Sequence, residues 1–138
     1  MDFEVSEQME TILTMVREFV DDELVPIEGE MLHGSPETVQ ELVIAAQTKV
    51  RQMGLWAPNH PEEFGGLGLT MEEEVLVAFE LGRTSPAFRS LLGTNNGIAG
   101  QVLVGFGTDE QKARWLRGIA SGDVVASFAL TESGAGSN

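Results

Sequence analysis

The chain of 138 residues contains no cysteine. Disulfide bonds, thiolate metal sites and catalysis by a cysteine nucleophile are therefore excluded. Basic residues are also scarce, eight against 22 acidic ones, which gives a formal net charge of −14. Such a surface repels phosphate backbones, so nucleic-acid binding would need a basic patch. The nearest candidate is the group Lys112, Arg114 and Arg117 on one short predicted helix, which we interpret as solvated charge.

Long apolar runs are absent as well. No segment approaches the roughly 18 consecutive apolar residues that a membrane span needs. The first basic residue is Arg17, whereas a signal or transit peptide carries basic residues near its start. The sequence therefore predicts a cytoplasmic protein, or one of the mitochondrial matrix if the source is eukaryotic and the chain is processed.

Hydrophobic residues make up 42% of the chain, which is enough for a packed core. In the helical segments they recur every three or four residues, as expected for helices with one buried face. The first such segment covers residues 6–27, and Pro26 predicts a kink or an end near Val25. We therefore predict a bundle of five or six helices with short joints.

Capping residues mark the predicted helix starts. Ser35 followed by Pro36 is typical of one start, and the spacings at 70–73 and 108–111 are typical of capping boxes. The helix after Thr70 is apolar nearly all round, which predicts a place at the centre of the bundle. The stretch LWAPNHPEEFGGLGL, residues 55–69, is predicted to be an irregular but packed connection.

The run VVASFALT, residues 124–131, is typical of a β-strand, and no other segment is a convincing second strand. One strand cannot satisfy its backbone hydrogen bonds alone. We therefore expect its partners to lie beyond Asn138 or in another chain. The predicted fold class is all-α, with a helical bundle over residues 1–121 followed by the first strand of a truncated β-domain over residues 122–138.

Few residues suggest chemistry by themselves. His33 and His60 lie in loop-like surroundings without a partner at metal-ligand spacing, so we interpret both as surface or loop residues and predict no metal site. The segment GGLGLT, residues 65–70, does not fit the G-x-G-x-x-G dinucleotide fingerprint, because it lacks a glycine at the third glycine position of that pattern. The turn after the predicted strand offers the Thr131 hydroxyl and backbone donors between glycines, which suits either a ligand or an ordinary loop.

The stretch FALTESGAGSN, residues 128–138, resembles the signature of acyl-CoA dehydrogenases at the start of their middle β-domain. Three further stretches resemble that family in the same order: GLWAPNHPEEFGGLGLT, VAFELGRTSPAF and FGTDEQKARWLRGIASGD. The resemblance covers nearly the whole chain. It implies an N-terminal α-bundle and the opening of the β-domain of a homotetrameric or dimeric enzyme of fatty acid metabolism. Such enzymes use FAD to oxidise an acyl-CoA thioester across its α,β carbons and pass electrons to an electron-transferring flavoprotein.

The resemblance also implies site residues. Contacts to FAD are implied for Phe128, Leu130, Thr131, Gly136 and Ser137. Phe128 would lie beside the flavin, Thr131 would donate its hydroxyl to the ring, and Ser137 would also approach the thioester substrate. The Leu130 backbone would contact the pyrimidine edge, and Gly136 would lie near the pyrophosphate. Residues 89–103 would include the helix faces that wall the acyl-chain pocket.

Two positions depart from the family pattern, since Ser133 stands where many members have proline and Asn138 replaces the usual aspartate. The general base of most members lies in their C-terminal domain, and Glu132 does not take that role. No catalytic residue is therefore expected in this chain, and the fragment alone is expected to be inactive. Two alternatives stay open: a related flavin-dependent oxidase or monooxygenase of the same fold, and a non-catalytic helical interaction module.

Overall fold

The computed structural model describes residues 4–127 and 129–136, without the side chains of residues 91–95. The predicted all-α bundle is confirmed, and in this part of the chain the α-helices lie in five contiguous helical stretches, with one further 3₁₀ turn standing alone. In chain order the elements are α1 (Glu7–Phe19), the π-helical segment π1 (Val20–Leu24), a 3₁₀ turn (Val25–Ile27), α2 (Glu28–His33), α3 (Pro36–Gln52), a second 3₁₀ turn (Glu62–Phe64), α4 (Met71–Leu81), α5 (Pro86–Thr94), the π-helical segment π2 (Asn95–Gly100), α6 (Gln101–Phe106) and α7 (Asp109–Ser121).

The core forms where α1 packs against α4. One face of α1 and π1 is buried, and its members are Met9, Ile12, Leu13, Val16, Phe19, Val20 and Leu24. Each large side chain removed from water in this way stabilises the fold by roughly 1.5–3 kcal/mol. On the exposed side, Arg17 of α1 binds Glu80 of α4 at 2.7 Å, and Arg83 binds Asp21 of π1 at 2.7 Å. The apolar stripe therefore decides which faces meet, and the ion pairs flank the contact.

The predicted helix starts are confirmed by their capping geometry. Ser35 Oγ accepts the Thr38 N–H at 3.2 Å, with Pro36 at the first helical position. In the capping box that opens α4, the Thr70 and Glu73 side chains each accept the other residue's N–H, at 3.3 and 2.8 Å. The capping box predicted at 108–111 has the same pair of bonds and opens α7.

The regular helical geometry is interrupted at Val25, as Pro26 predicts, but the path of the chain stays helical. The α-geometry ends at Phe19, six residues before Val25, and the chain continues as π1 and then as the 3₁₀ turn that holds Pro26. A proline has no N–H to give to the preceding turn, so regular i to i−4 bonding cannot pass through this position. The helical path nevertheless reaches His33 because π and 3₁₀ turns absorb the missing bond.

The prediction that α4 lies at the centre of the bundle is wrong. Val77 is the buried residue of this helix, whereas Met71 and Phe79 are 72% and 73% exposed. Helix α4 packs mainly against α1 and α5. Its outer apolar face is therefore not covered by any described part of the chain.

The connection at 55–69 is packed, as predicted. Trp56 and Ala57 are buried, and the Trp56 indole N–H donates to the Ile119 carbonyl of α7 at 3.2 Å. Leu67 and Leu69 are half-buried against the core. The irregular backbone is tolerated because its N–H groups find carbonyl partners inside the connection itself.

The run at 124–131 forms no strand in its described residues. A β-strand exists through its ladder to a second strand, and no second strand lies within residues 4–127 and 129–136. After it, Glu132 and Ala135 exchange N–H to carbonyl bonds of 2.9 and 3.2 Å and close a tight turn. The division into domains at residue 121 stays a prediction. Within the described ranges, none of the helices combines the length and apolar character needed to span a membrane.

Candidate functional site

An open cleft of about 490 Å³ lies between α4 and π2. Met71, Val75 and Ala78 contribute the α4 wall, and Gly97 and Ile98 contribute the π2 wall. Met71 and Val75, two exposed residues of α4, therefore form part of one side of this cleft. The volume falls in the range of roughly 300–1,000 Å³ that is usual for ligand sites.

A smaller cavity of about 60 Å³ adjoins the cleft on the core side. The two share several lining residues, which are Asn59, Glu74, Ala78, Arg89 and Gly97. The other walls of the cavity come mostly from core residues of several helices, including Val16, Phe19, Val50, Val77 and Leu81. The two charged side chains, Glu74 and Arg89, therefore lie where the cleft meets the cavity, and the rest of the cavity is mostly apolar.

Two asparagines supply polar atoms to this interior. Asn59 Nδ2 donates to Glu74 Oε2 at 3.1 Å, and Asn96 Nδ2 donates to the Trp56 carbonyl at 2.6 Å. The amide oxygens of Asn59 and Asn96 are buried and have no partner among the residues described. Buried polar atoms normally have a hydrogen-bond partner, so these two oxygens are available to a water or to a ligand group in the cavity.

His60 is the clearest correction to the sequence-based interpretation. It lies in a loop, one of the two interpretations from the sequence, but its side chain is not on the surface: it is completely buried, with an exposed fraction of 0%. Burial lowers the pKa of the imidazole, and the contact with the Asn96 carbonyl opposes that shift. The error arises because the connection at 55–69 folds under π2, and no local pattern in the sequence shows which segment will cover it.

Two glycines allow the close packing around His60. A methyl group at Gly100 of π2 would overlap Nε2 and Cε1 of the imidazole. A methyl group at Gly66 would overlap the backbone carbonyl and Cβ of His60. Neither residue has a positive φ, so the requirement for glycine here comes from close approach. The sequence signal that could have indicated this site is a histidine between Pro58 and Pro61, followed by the glycine pair Gly65 and Gly66.

The residues expected to contact FAD are described only in part. Phe128 and Ser137 lie outside the described residues. Leu130 is 70% exposed, and Thr131 and Gly136 are exposed as well. The turn brings Thr131 and Gly136 together, since a methyl at Gly136 would lie 3.9 Å from the Thr131 methyl carbon. In the part of the chain that is described, no cluster of three histidine, aspartate or glutamate side chains could hold a metal ion.

Comparison with known proteins assigns the chain to a family. The family model for "Acyl-CoA dehydrogenase, N-terminal domain" matches residues 6–123. The chain therefore belongs to the acyl-CoA dehydrogenase family, as the sequence resemblance predicts.

Curated relatives and solved structures agree with this assignment. The chain is 34% identical to (2S)-methylsuccinyl-CoA dehydrogenase of Cereibacter sphaeroides, covering 97% of this chain and 24% of that protein. It is also 34% identical to 3-(aryl)acrylate reductase of Clostridium sporogenes, covering 96% of this chain and 34% of that protein. A chain in the solved structure of the electron transferring flavoprotein of Acidaminococcus fermentans matches with a TM-score of 0.78 and 31% identity, over 99% of this chain and 34% of that one. The chain thus spans about a quarter to a third of these three proteins.

Proposed function

We propose that this chain is the N-terminal helical portion of a flavin-dependent acyl-CoA dehydrogenase, which removes a hydrogen pair across the α,β carbons of an acyl-CoA thioester. The observation that carries the proposal is the apolar cleft. Arg89, Gly97 and Ile98 line it, and all three fall within residues 89–103, where the family resemblance expects the acyl-chain wall.

In this proposal the cleft binds and orients the acyl chain. Met71, Val75 and Ile98 supply apolar surface that the described chain leaves open to solvent. Each methylene of an acyl chain buried there would contribute roughly 0.8 kcal/mol to binding. The same walls exclude water from the chain, while Arg89 and Glu74 keep charge where the cleft meets the cavity.

The described residues of the terminal turn fit a flavin. Thr131 is exposed with its methyl carbon beside Gly136, and a methyl at Gly134 would have no heavy atom within 4 Å, so a flat ring can approach the backbone. Leu130 would contribute backbone contacts beside them. Bound FAD would supply the redox chemistry by accepting the electron pair taken from the substrate. The roles of Phe128 and Ser137 remain predictions.

No residue of this chain is assigned as the catalytic base, so we propose that the portion represented here does not catalyse the reaction alone. The acyl-CoA substrate and an electron-transferring flavoprotein are the proposed partners of the whole enzyme. The cytoplasmic location and the dimeric or tetrameric state expected from the sequence remain predictions.

A reductase is the second candidate. The observation in its favour is the 34% identity to 3-(aryl)acrylate reductase, which equals the identity to the dehydrogenase relative. The cleft would then hold an unsaturated acyl group, and hydrogen would be added across the same pair of carbons. Both candidates use the same apolar wall. They differ only in whether electrons flow from the substrate to the flavin or from the flavin to the substrate.

The test uses the full-length protein with its flavin bound. Addition of a straight-chain or branched acyl-CoA is expected to bleach the visible flavin absorbance. A flavin that stays oxidised with every saturated acyl-CoA, but is reoxidised after chemical reduction by an unsaturated one, would favour the reductase. Rapid reoxidation by oxygen alone would favour the oxidase alternative.

A matched pair of variants connects the result to the cleft. Ile98→Glu places a carboxylate in the apolar wall, so at least tenfold more acyl-CoA should be needed for half-maximal bleaching. Leu32→Glu makes the same change on α2, where Leu32 is similarly exposed but does not line the cleft, and should behave as the parent protein. Equal behaviour of the two variants would contradict the placement of the acyl chain.

A further inference from the structure

Three hydrogen bonds join the connection at 55–69 to π2 and to the first residue of α6. Asn96 Nδ2 donates to the Trp56 carbonyl at 2.6 Å, and His60 Nε2 contacts the Asn96 carbonyl at 3.3 Å. Gln101 Nε2 donates to the Asn59 carbonyl at 3.0 Å. Within this set, His60 and Asn96 are the deeply buried side chains, 0% and 1% exposed. The contact between His60 Nε2 and the Asn96 carbonyl is therefore shielded from bulk solvent.

The same residues determine where π2 stands. Asn96 and Gly97 line the small cavity, and Gly97 and Ile98 line the cleft. A shift of π2 relative to the connection would therefore move the wall of both spaces at once. The contact of His60 with Asn96 links the connection to the wall of the small cavity, one residue before the cleft-lining Gly97.

The segment π2 needs such external contacts. A π-helical turn is rare and is found mostly as a single turn near functional sites. The sequence of π2, NNGIAG, contains two glycines, which weaken any intrinsic preference for one backbone conformation. Contacts from outside the segment must therefore hold its shape.

The partners of His60 define which nitrogen carries the proton. The Asn96 carbonyl is an acceptor, so Nε2 must be the donor in the neutral ring. Nδ1 is buried and has no partner among the described residues. As an unprotonated nitrogen it leaves no donor unsatisfied, whereas a second proton would create a buried N–H without an acceptor. The surroundings therefore suit the neutral ring.

Charged groups on the elements around His60 do not change this conclusion. Its own connection, α4, α5 and α7 carry charged residues, while π2 and α6 carry none. The charged side chains of those four segments are all partly or fully exposed: Glu62, Glu63, Glu72, Glu73, Glu74, Glu80, Arg89, Asp109, Glu110, Lys112, Arg114 and Arg117. The pKa of His60 is governed by its burial and by the Asn96 carbonyl.

We propose that His60 is a positioning residue: its neutral imidazole, with the proton on Nε2, holds π2 against the connection and fixes the wall of the cleft, and protonation at acidic pH releases that wall. The proposal rests on the proposed function only for the identity of the cleft's ligand. The positioning itself concerns residues of this chain alone.

The first experiment follows the imidazole and the wall by NMR on the ¹⁵N-labelled chain. At neutral pH the His60 ring should be protonated on Nε2. As the pH is lowered through the usual histidine value of about 6.5, the amide signals of Asn96 and Gly97 should shift with the same midpoint as His60, below that value. A ring protonated on Nδ1, or wall signals that stay constant while His60 titrates, would overturn the proposal.

Variants separate positioning from bulk packing. His60→Gln keeps an amide donor near the place of Nε2 but cannot titrate, so the neutral-pH signals of Asn96 and Gly97 should be retained and their pH dependence lost. His60→Leu removes the donor and should displace those signals at every pH. His33→Gln, at the exposed histidine of α2, is the matched control and should change neither. Identical wall signals in His60→Gln and His60→Leu would contradict the role of the donor.

The second experiment measures acyl-CoA saturation in the full-length flavin-loaded protein. The KM for the acyl-CoA that bleaches the flavin best should rise at least threefold between neutral pH and the His60 midpoint in the parent, and should stay level in His60→Gln. If the NMR coupling is found but no acyl-CoA binds, the proposed function fails and the positioning stands. If acyl-CoA binds with the same pH dependence in the parent and in His60→Gln, the positioning fails and the proposed function stands.

Discussion

Replacement of Gly100 by alanine tests the packing beneath the cleft. A methyl group at this position would overlap two ring atoms of His60, which is fully buried and cannot move into solvent. Gly105 of α6 provides the matched control, because a methyl group there has no heavy atom within 4 Å. The two substitutions are chemically identical and lie five residues apart.

The expected magnitudes follow from opposing effects. Glycine to alanine in a helix ordinarily stabilises by about 0.5–1 kcal/mol. At Gly100 the overlap adds the cost of overpacking, about 1–3 kcal/mol, and the displaced imidazole loses a hydrogen bond of about 0.5–1.5 kcal/mol. Gly100→Ala should therefore lower the free energy of unfolding by about 0.5–4 kcal/mol, whereas Gly105→Ala should leave it unchanged or raise it by up to about 1 kcal/mol.

Urea unfolding at neutral pH, followed by tryptophan fluorescence, measures both values. A double variant with His60→Ala removes the ring that the new methyl group meets. The loss caused by Gly100→Ala should then shrink, with a coupling energy of at least about 0.5 kcal/mol. Gly100→Ala and Gly105→Ala with equal stabilities, or strict additivity in the double variant, would refute the packing argument.

Three further predictions concern the bundle. Phe88→Ala removes a side chain that is 1% exposed, so urea unfolding should show a loss of about 3–5 kcal/mol. Thr108→Ala removes a capping box and should cost about 1 kcal/mol, whereas Thr11→Ala on an exposed helix face should stay within about 0.5 kcal/mol in the same assay. The hydrogen bond from Arg17 lowers the pKa of Glu80. The parent should therefore be more stable than Glu80→Gln at neutral pH, and this advantage should be lost as the pH falls below about 4.3. An advantage that persists in acid would contradict this pairing.

Local features were predictable from the sequence because short-range chemistry decides them. The start of α3 depends on Ser35 and Pro36, and those of α4 and α7 depend on side chains three residues apart. The apolar stripe of α1 likewise follows from its own spacing. The acyl-CoA dehydrogenase resemblance is also carried by ordered local motifs, and the family match over residues 6–123 confirms it.

Burial was not predictable in the same way. The composition of α4 places apolar residues on every side, yet which side is covered depends on where α1 and α5 lie. His60 shows the converse case, a polar residue in an irregular stretch that becomes completely buried because π2 folds over it. In both cases the deciding partner is distant in sequence.

The sequence by itself determined the helical class, the helix starts and the family, because capping, periodicity and motif order are properties of neighbouring residues. Only the tertiary structure decided that an apolar face of α4 and the π2 segment form one cleft, and that a buried histidine lies beneath it. The physical reason is that a cleft and a buried imidazole are produced by the packing of segments far apart in the chain. Residues 56–60 and 96–101 meet through three hydrogen bonds that no local pattern specifies.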